Sequence, residues 1–307
     1  MEKKYSIVIP VYNSVSTLEE LVRRLISVFK TNSYSFEIIF INDGSTDSSW
    51  SLISILKKEH PTIIKGINLA RNYGQHNALM CGFHHCNSDY VITMDDDLQH
   101  PPEEINLLIQ RQLETSSDVI YGIPNEKKHG SIRTAGSFLV RRSSKVFANN
   151  PQGEGSSFRL IKKTVLEEFI KNNTGSYVFL DEILPWYTSK VSFVSVEHHE
   201  RPSGESGYTL FKLMKLFFNV SINYTAHFLL LMIYGGIISS IITFMLGVVF
   251  IYRKTILDVP LGYTSIMVTI LFSSSLILMG LGVIGKYIFN MYQQQTGKPM
   301  YAVKSVI

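Results

Sequence analysis

Short runs of apolar, β-branched and aromatic residues recur along the first third of the chain: Tyr5 to Pro10 (YSIVIP), Glu37 to Asn42 (EIIFIN), Ile63 to Asn68 and Tyr90 to Met94 (YVITM). Each reads as a strand. Between them lie stretches of helical length. Leu18, Leu21, Val22 and Leu25 fall at helical spacing, and Thr46 to His60 follows a turn rich in Asp, Gly and Ser. Pro101-Pro102 opens a further helix with Glu103 and Glu104 in its first turn, where acids suit the positive helix end. Strand and helix in alternation predict an α/β fold built on a mostly parallel sheet.

The pattern changes in the last third. From Leu216 to Tyr252, and again from Val259 to Gly285, there is no Asp, Glu, Lys or Arg, whereas about 20 apolar residues suffice to cross a bilayer. Two transmembrane helices are expected, about 226 to 252 and 262 to 286; a pair of buried core helices is the alternative, but uncharged stretches this long are rare in soluble domains. The expected plan is an α/β domain over 1–205, an amphipathic juxtamembrane region over 206–225, a two-helix transmembrane hairpin over 226–290 and a tail over 291–307.

Composition sharpens this plan. With 307 residues, 45% of them apolar, the chain has ample core and is not disordered, collagen-like or a disulfide scaffold. Its net charge of +4 is bland until it is located. Beyond Lys215 the only charged residues are Arg253, Lys254, Asp258, Lys286, Lys298 and Lys304, so the part before them is neutral and the whole excess lies in the last third. No nucleic-acid footprint is expected on the soluble part. Arg253, Lys254 and Asp258 form a short interhelical loop, and the basic residues flanking the hairpin outnumber them. The positive-inside bias then puts both termini in the cytoplasm. Met1 to Asn13 reads as a strand rather than a signal peptide, and Cys81 and Cys86 as reduced, small buried residues.

In open α/β sheets, ligands bind outside the carboxyl ends of the strands. The residues there are polar: Pro10-Val11-Tyr12-Asn13 after the first strand, Asn42-Asp43-Gly44-Ser45 after the second, and Asp95-Asp96-Asp97-Leu98-Gln99 after the fourth. Three consecutive acids repel one another, and a hard divalent cation, Mg2+ or Mn2+, is a natural way to hold them. Such an ion takes phosphate oxygens to complete its shell, which points to a nucleotide-diphosphate substrate. A solvated helix cap is the alternative for the acidic run, and an ordinary N-capped turn for Asp43-Gly44-Ser45.

These segments carry a resemblance. VIPVYN at 8–13, INDGSTD at 41–47, MDDDLQHPPE at 94–103 and the trailing hydrophobic hairpin are together similar to family 2 glycosyltransferases of GT-A fold. More narrowly they resemble polyprenyl-phosphate glycosyltransferases, the dolichol-phosphate mannose synthase type and the bacterial enzymes that load glucose or aminoarabinose onto undecaprenyl phosphate. The resemblance extends to the ending GKYIFNMYQQQTGKPMYAV. It implies that Pro10, Tyr12, Asn13 and Asp43 line the nucleotide pocket, that Asp95 and Asp96 hold the donor, and that Asp97 and Gln99, with Asp95, ligate the metal. Asn68, Arg71 and Gly74 in INLARNYG match the loop after the third strand that lies beneath sugar and nucleotide. Where the family usually carries Glu after the Asn of its first motif, this chain has Ser14.

On the acceptor side, Arg133 and Ser137 in GSIRTAGSF share one helical face and can grip one phosphate, matching the family's lipid-phosphate contact. A second arginine often found earlier is absent at Gly122 to Asn125, where Lys127 and Lys128 are near substitutes. Arg201 in HERPSGESGYTLFKLMK, together with Lys212 and Lys215 beside an apolar face, is suited to guiding a lipid phosphate at the headgroup layer. A phosphate monoester is mostly dianionic at neutral pH, its second pKa being about 6, so no strong general base is required. If there is one, Asp181 or Glu182 in FLDEIL is the candidate. Some bacterial relatives carry Asp just before Phe-Arg-Leu, where this chain has Ser157. His84, His85, His198 and His199 read as surface or core residues rather than metal ligands.

The expected activity is metal-dependent, inverting transfer of a sugar from a nucleotide diphosphate, most simply a UDP-sugar, to polyprenyl phosphate. It would take place at the inner membrane of a bacterium, by a homo-oligomer embedded in the lipid bilayer. A membrane-associated glycan as acceptor and a catalytically silent membrane scaffold are the competing readings. A Q-x-x-R-W motif, usual in processive synthases, does not occur, and the intact Asp95, Asp97 and Gln99 disfavour a silent copy.

Overall fold

The computed structural model describes residues 4–125, 156–172, 180–199, 262–295 and 299–307, with isolated positions between 234 and 256. The chain divides into two units, Met1–Glu205 with Lys298–Ile307, and Ser206–Gly297.

The first unit is built on an eight-stranded sheet. In chain order its elements are β1 (Lys4–Val11), α1 (Leu18–Thr31), β2 (Ser35–Asn42), α2 (Ser49–Glu59), β3 (Ile64–Leu69), α3 (Gln75–His84), β4 (Tyr90–Thr93), a 3-10 turn (Pro102–Glu104), α4 (Ile105–Thr115), β5 (Val119–Pro124), β6 (Arg159–Lys162), α5 (Lys163–Asn172), the short α6 (Leu180–Ile183), a second 3-10 turn (Leu184–Trp186) and β7 (Val191–Val196). After the second unit the chain adds β8 (Val303–Val306). The four strands expected from hydrophobic pattern all form, within a residue or two of their predicted ends.

Strand order is β7-β5-β6-β4-β1-β2-β3-β8. β1 pairs in parallel with β2 and β4, β2 with β3, and β5 with β7. β6 runs antiparallel between β4 and β5, and β8 antiparallel along β3. The sheet is therefore mixed, more so than the mostly parallel sheet expected. Its chain order reverses between β1 and β4, which creates the crevice where open α/β sheets bind ligands.

Alternation along β1 divides the core in two. Ile7 and Ile9 face a cluster shared with Leu21 and Leu25 of α1, Ile53 of α2 and Leu108 of α4. Val8 faces the other layer, with Leu79 and Phe83 of α3 and Phe169 of α5. α3 lies so close to the sheet that a Cβ on Gly82 would sit 2.4 Å from Val8 Cγ1. Pro10 is tolerated in this central strand because of where β4 stops. Val8 O accepts the Met94 N–H, and Pro10, two residues on, directs its donor-less nitrogen past the end of β4.

The chain's end is not a separate tail. Helix α7 (Tyr263–Gln295) runs beyond the expected boundary at 290, and the residues after it return to the sheet as β8. Gly66 and Ile307 exchange N–H···O bonds at 3.0 and 2.9 Å, and a Cβ on Gly66 would meet Ile307 Cγ1 at 2.8 Å. Ala70 N–H donates to Ala302 O at 2.9 Å, so the last strand braces the base of the loop that follows β3.

In the second unit, α7 has 33 residues, about 50 Å at helical rise, and its stretch Phe272–Phe289 is long and apolar enough to cross a membrane by length and composition. The first expected span, 226–252, lies almost wholly outside the described residues; the isolated positions described there are helical.

Candidate active site

Three loops converge on the crevice, and hydrogen bonds between them set their spacing. After β1 the chain turns at Asn13, whose φ of 54° is left-handed. Its N–H donates to Ser45 Oγ at 3.0 Å, and its Oδ1 accepts the Thr46 N–H at 2.8 Å. Asp47 accepts the N–H groups of Val15 and Ser49; burial raises its carboxyl, but the Ser49 side chain and these N–H groups together hold it below the usual carboxylate range. The loops after β1 and β2 are thus stitched together. Tyr12, at their lip, is 49% exposed, a ring free to meet a planar ligand. Pro10 lies buried below it.

Asp43 is buried, and each of its oxygens accepts a backbone N–H from the β3–α3 loop: Tyr73 at 2.7 Å and Gly74 at 2.8 Å. Burial pushes its carboxyl above the usual range while those two donors pull it back. The structure thus gives Asp43 a bracing role in addition to the pocket-lining role the resemblance implies. Next to it, Gly44 has φ +67°, and a Cβ there would lie 2.5 Å from Arg71 C and Asn72 N. Only glycine permits that approach. Asn68 on β3 accepts from Asn42 Nδ2 at 2.8 Å. Arg71 is exposed and sits 4.9 Å over the Tyr73 ring, and Gly74, at φ +89°, caps α3.

The acidic turn follows β4. Asp95 is gripped on both oxygens, by Gln75 Nε2 on Oδ1 and by Ser157 Oγ on Oδ2, each at 2.6 Å. Asp96 Oδ2 accepts the Tyr12 N–H at 3.3 Å. Burial, with the charges of Asp95 and Asp97 added, pushes Asp96 up to about 6, against the hydrogen bonds from Ser14 and Tyr12. Asp97, 8% exposed, accepts the Gln99 N–H on Oδ1 at 3.1 Å, closing a turn that places Leu98 at φ 59°.

This donor set fits a hard cation in kind, being carboxylate and amide oxygen. Among the described residues no three His, Cys, Asp or Glu side chains converge as a metal site, so an ion here would draw further ligands from Gln99, water and a bound diphosphate.

Behind Asp95 lies a buried polar chain that sequence reasoning missed. Because β6 is antiparallel, its start adjoins the end of β4, with Thr93 opposite Arg159. Thr93 Oγ1 donates to Ser157 O at 2.6 Å and accepts from Arg159 Nε at 3.0 Å. Arg159 is 2% exposed; its guanidinium pairs with Asp181 Oδ1 and lies 5.9 Å from the Tyr121 ring centre. Burial raises the Asp181 carboxyl and Arg159 lowers it, with burial the larger effect. Asp181, named above as a base candidate, is therefore the counter-charge of a buried arginine. Glu182 lies on the same short helix. His76 is pushed down to about 4 by burial and by Arg159, and remains neutral. Ser157 showed in the sequence only as a departure from relatives and Arg159 only as part of the Phe-Arg-Leu that follows it, and nothing local signalled Gln75 or His76. Arg133, Ser137, Arg201 and Lys212, with Lys127 and Lys128, lie outside the described residues.

A mixed α/β sheet with stitched loops and acids at its reversal point is an architecture of the GT-A type. The likeness extends to a mannosyltransferase from Pyrobaculum calidifontis in complex with GDP-Man and Mn2+, with TM-score 0.50 and 17% identity, over 68% of this chain and 59% of that one. Mannosyl-3-phosphoglycerate synthase from Rubrobacter xylanophilus matches with TM-score 0.52 and 12% identity, over 71% of each chain. Residues 6–169 match the model of glycosyl transferase family 2, and the chain belongs to that family and is a glycosyltransferase. Among curated relatives, undecaprenyl-phosphate 4-deoxy-4-formamido-L-arabinose transferase from Shewanella sediminis is 32% identical, over 98% of this chain and 92% of that protein. The protein of that name from Enterobacter sp. is 30% identical, over 99% and 94%.

Proposed function

We propose that this glycosyltransferase moves a sugar from a nucleoside diphosphate, UDP in the simplest case, to the phosphate of undecaprenyl phosphate or a related polyprenyl phosphate, at the cytoplasmic face of a bacterial inner membrane. The observation that carries the reading is the end-to-end match to relatives named for undecaprenyl-phosphate sugar transfer, a match that takes in the apolar C-terminal third as well as the sheet. A polyprenyl acceptor gives that third its purpose.

Tyr12 and the stitched loops around Asn13 receive the nucleoside, and Arg71 is within reach of its phosphates. Asp95, Asp97 and Gln99 hold Mg2+ or Mn2+. When bound, the cation neutralises charge building on the departing diphosphate. Arg133 and Ser137, with Arg201 and Lys212, hold the lipid phosphate. One of its oxygens attacks the anomeric carbon in line, a new C–O bond forms as the bond to the diphosphate breaks, and the anomeric configuration inverts. The dianionic phosphate is already a nucleophile, so orientation and electrostatics make the main contributions. The ion pair between Asp181 and Arg159 agrees with a base-free step.

The test is label transfer by the purified full chain in detergent, with Mn2+, undecaprenyl phosphate and a panel of radiolabelled UDP-, GDP- and dTDP-sugars. Label passing into an organic-extractable lipid from one donor supports the reading. Label passing only into a polymeric glycan, with undecaprenyl phosphate inert, overturns it.

A further inference from the structure

The turn that carries Asp95, Asp97 and Gln99 is irregular backbone, and its first half is held by Gln75, Ser157 and the loop after β1. Its second half is held by the chain leaving β7. That strand ends at Val196, yet the next three residues each engage the turn or its continuation. Glu197 N–H donates to Glu104 Oε2 at 2.9 Å. The His198 ring meets the His100 ring edge-on, with centroids 4.9 Å apart at 69°. His199 N–H donates to Gln99 O at 2.8 Å. The His100 ring also lies beside Phe158, next in sequence to Ser157, with centroids 5.2 Å apart.

These contacts are not core packing, since His198 and His199 are both exposed. They also precede Glu200 and Arg201 directly in the chain, the start of the stretch assigned above to the lipid phosphate. In sequence, Glu200 alone separates His199 from Arg201, the cation that the proposed function gives to the acceptor. We propose that Glu197, His198 and His199 form a latch that positions Gln99 and Asp97 and couples acceptor binding to the donor turn. His198 and His199 act as positioning residues, through the ring of one and the backbone N–H of the other, and not as metal ligands. The donor and acceptor assignments rest on the function proposed above, whereas the latch itself is a property of the fold.

Four variants of the full chain in detergent separate these roles. His198→Ala removes the ring and His198→Phe restores a ring of similar shape; His199→Pro deletes the N–H and His199→Ala keeps it. Hydrogen exchange read by mass spectrometry on peptides spanning 96–100 needs no ligand. Exchange there should rise about 5- to 10-fold in His198→Ala and His199→Pro, with β1 to β3 unchanged, and stay near wild type in the other two. Binding of Mn2+ in the presence of UDP, followed by electron paramagnetic resonance, should weaken about 10-fold in the same two variants, the scale of losing a ligand's support. Undecaprenyl phosphate should tighten Mn2+–UDP binding in the wild type and fail to do so in His198→Ala, because coupling between sites is reciprocal.

Unchanged exchange at 96–100 in both disruptive variants overturns the latch. Equal defects in His198→Phe and His199→Ala overturn the positioning role in favour of imidazole chemistry. Equal tightening in wild type and His198→Ala overturns the coupling. A wild type that binds Mn2+ with none of UDP, GDP and dTDP overturns the proposed function instead, and the exchange measurement still decides the latch.

Discussion

Replacing Asp181 with Asn separates two roles that one carboxylate could play. A buried acid with a raised pKa is the usual mark of a general base, but structural ion pairs perturb pKa values as well. Here the partner decides the expectation. Arg159 is 2% exposed and is held by Thr93 Oγ1, the Tyr121 ring and Asp181, of which Asp181 alone supplies negative charge. Asn keeps an oxygen for the guanidinium and loses the charge. Removing one partner of a buried pair costs roughly 3–5 kcal/mol, and the retained hydrogen bond places this variant near the lower end. In a domain of this size each kcal/mol is worth roughly 2–4 °C, so the melting temperature should fall by about 6–12 °C. Well below that temperature, kcat should change by less than about 10-fold, whereas loss of a true general base costs about 100- to 10,000-fold. Thermal melts of the detergent-solubilised protein and initial rates at low temperature read the two quantities separately. The double variant Arg159→Met with Asp181→Leu should recover much of the stability, because an apolar replacement leaves no buried charge unpaired. A kcat reduced 100-fold at an unchanged melting temperature would refute the reasoning and restore Asp181 as the base.

Further outcomes follow from the loops. Gly44→Ala adds a left-handed residue, roughly 1–2 kcal/mol, and an overpacked contact, roughly 1–3 kcal/mol, against Arg71 and Asn72. Melts should show the loss, and the KM for nucleotide sugar should rise more than that for lipid; equal rises would separate this loop from the donor. Asp97→Asn keeps the Oδ1 that accepts the Gln99 N–H, so the turn should persist while Mn2+-dependent transfer falls by at least about 100-fold. Full activity in that variant removes the metal assignment. His76, pushed from 6.5 down to about 4, binds fewer protons folded than unfolded between those values. It therefore contributes stability that is present above pH 6.5 and lost as pH falls toward 4, on the order of 3 kcal/mol at most. Asp96, raised to about 6, works in the opposite sense over nearly the same window. The informative quantity is thus the gap between wild type and His76→Gln, whose melting temperatures should shift in favour of the variant on acidification from pH 7 to 5. A constant gap contradicts the burial argument.

Most elements up to α4 are legible from local signals: β1 to β4 as apolar runs, α1 as a face that buries Leu18, Leu21, Val22 and Leu25, α2 from the turn before it and α4 from Pro101-Pro102. The strand-end acids stand out for the same reason, since a strand must precede them. What was not legible depends on pairing between distant residues. β6 (RLIK) and β8 (VKSV) carry polar or basic residues at half their positions, so neither reads as an apolar run as the equally short β4 does, and only their partners β4 and β3 show that both run antiparallel. The last residues read as a tail because Val303 and Val306 are edge positions, partly exposed even when paired. In the site, Asp43 could be picked out by type and place, but its burial under Tyr73 and Gly74 could not. Ser157 meets Asp95, and Arg159 meets Thr93 and Asp181, across separations that no local pattern spans.

The central claim is that the phosphate of a polyprenyl lipid is itself the nucleophile. It is tested most directly by the mass of the lipid product and the identity of the released nucleotide, after incubating the purified chain with Mn2+, undecaprenyl phosphate and the donor it accepts. A lipid bearing one phosphate between polyprenyl chain and sugar, formed together with a nucleoside diphosphate, is the expected result. A lipid bearing two phosphates with release of a nucleoside monophosphate, or sugar found only on a glycan, would contradict it.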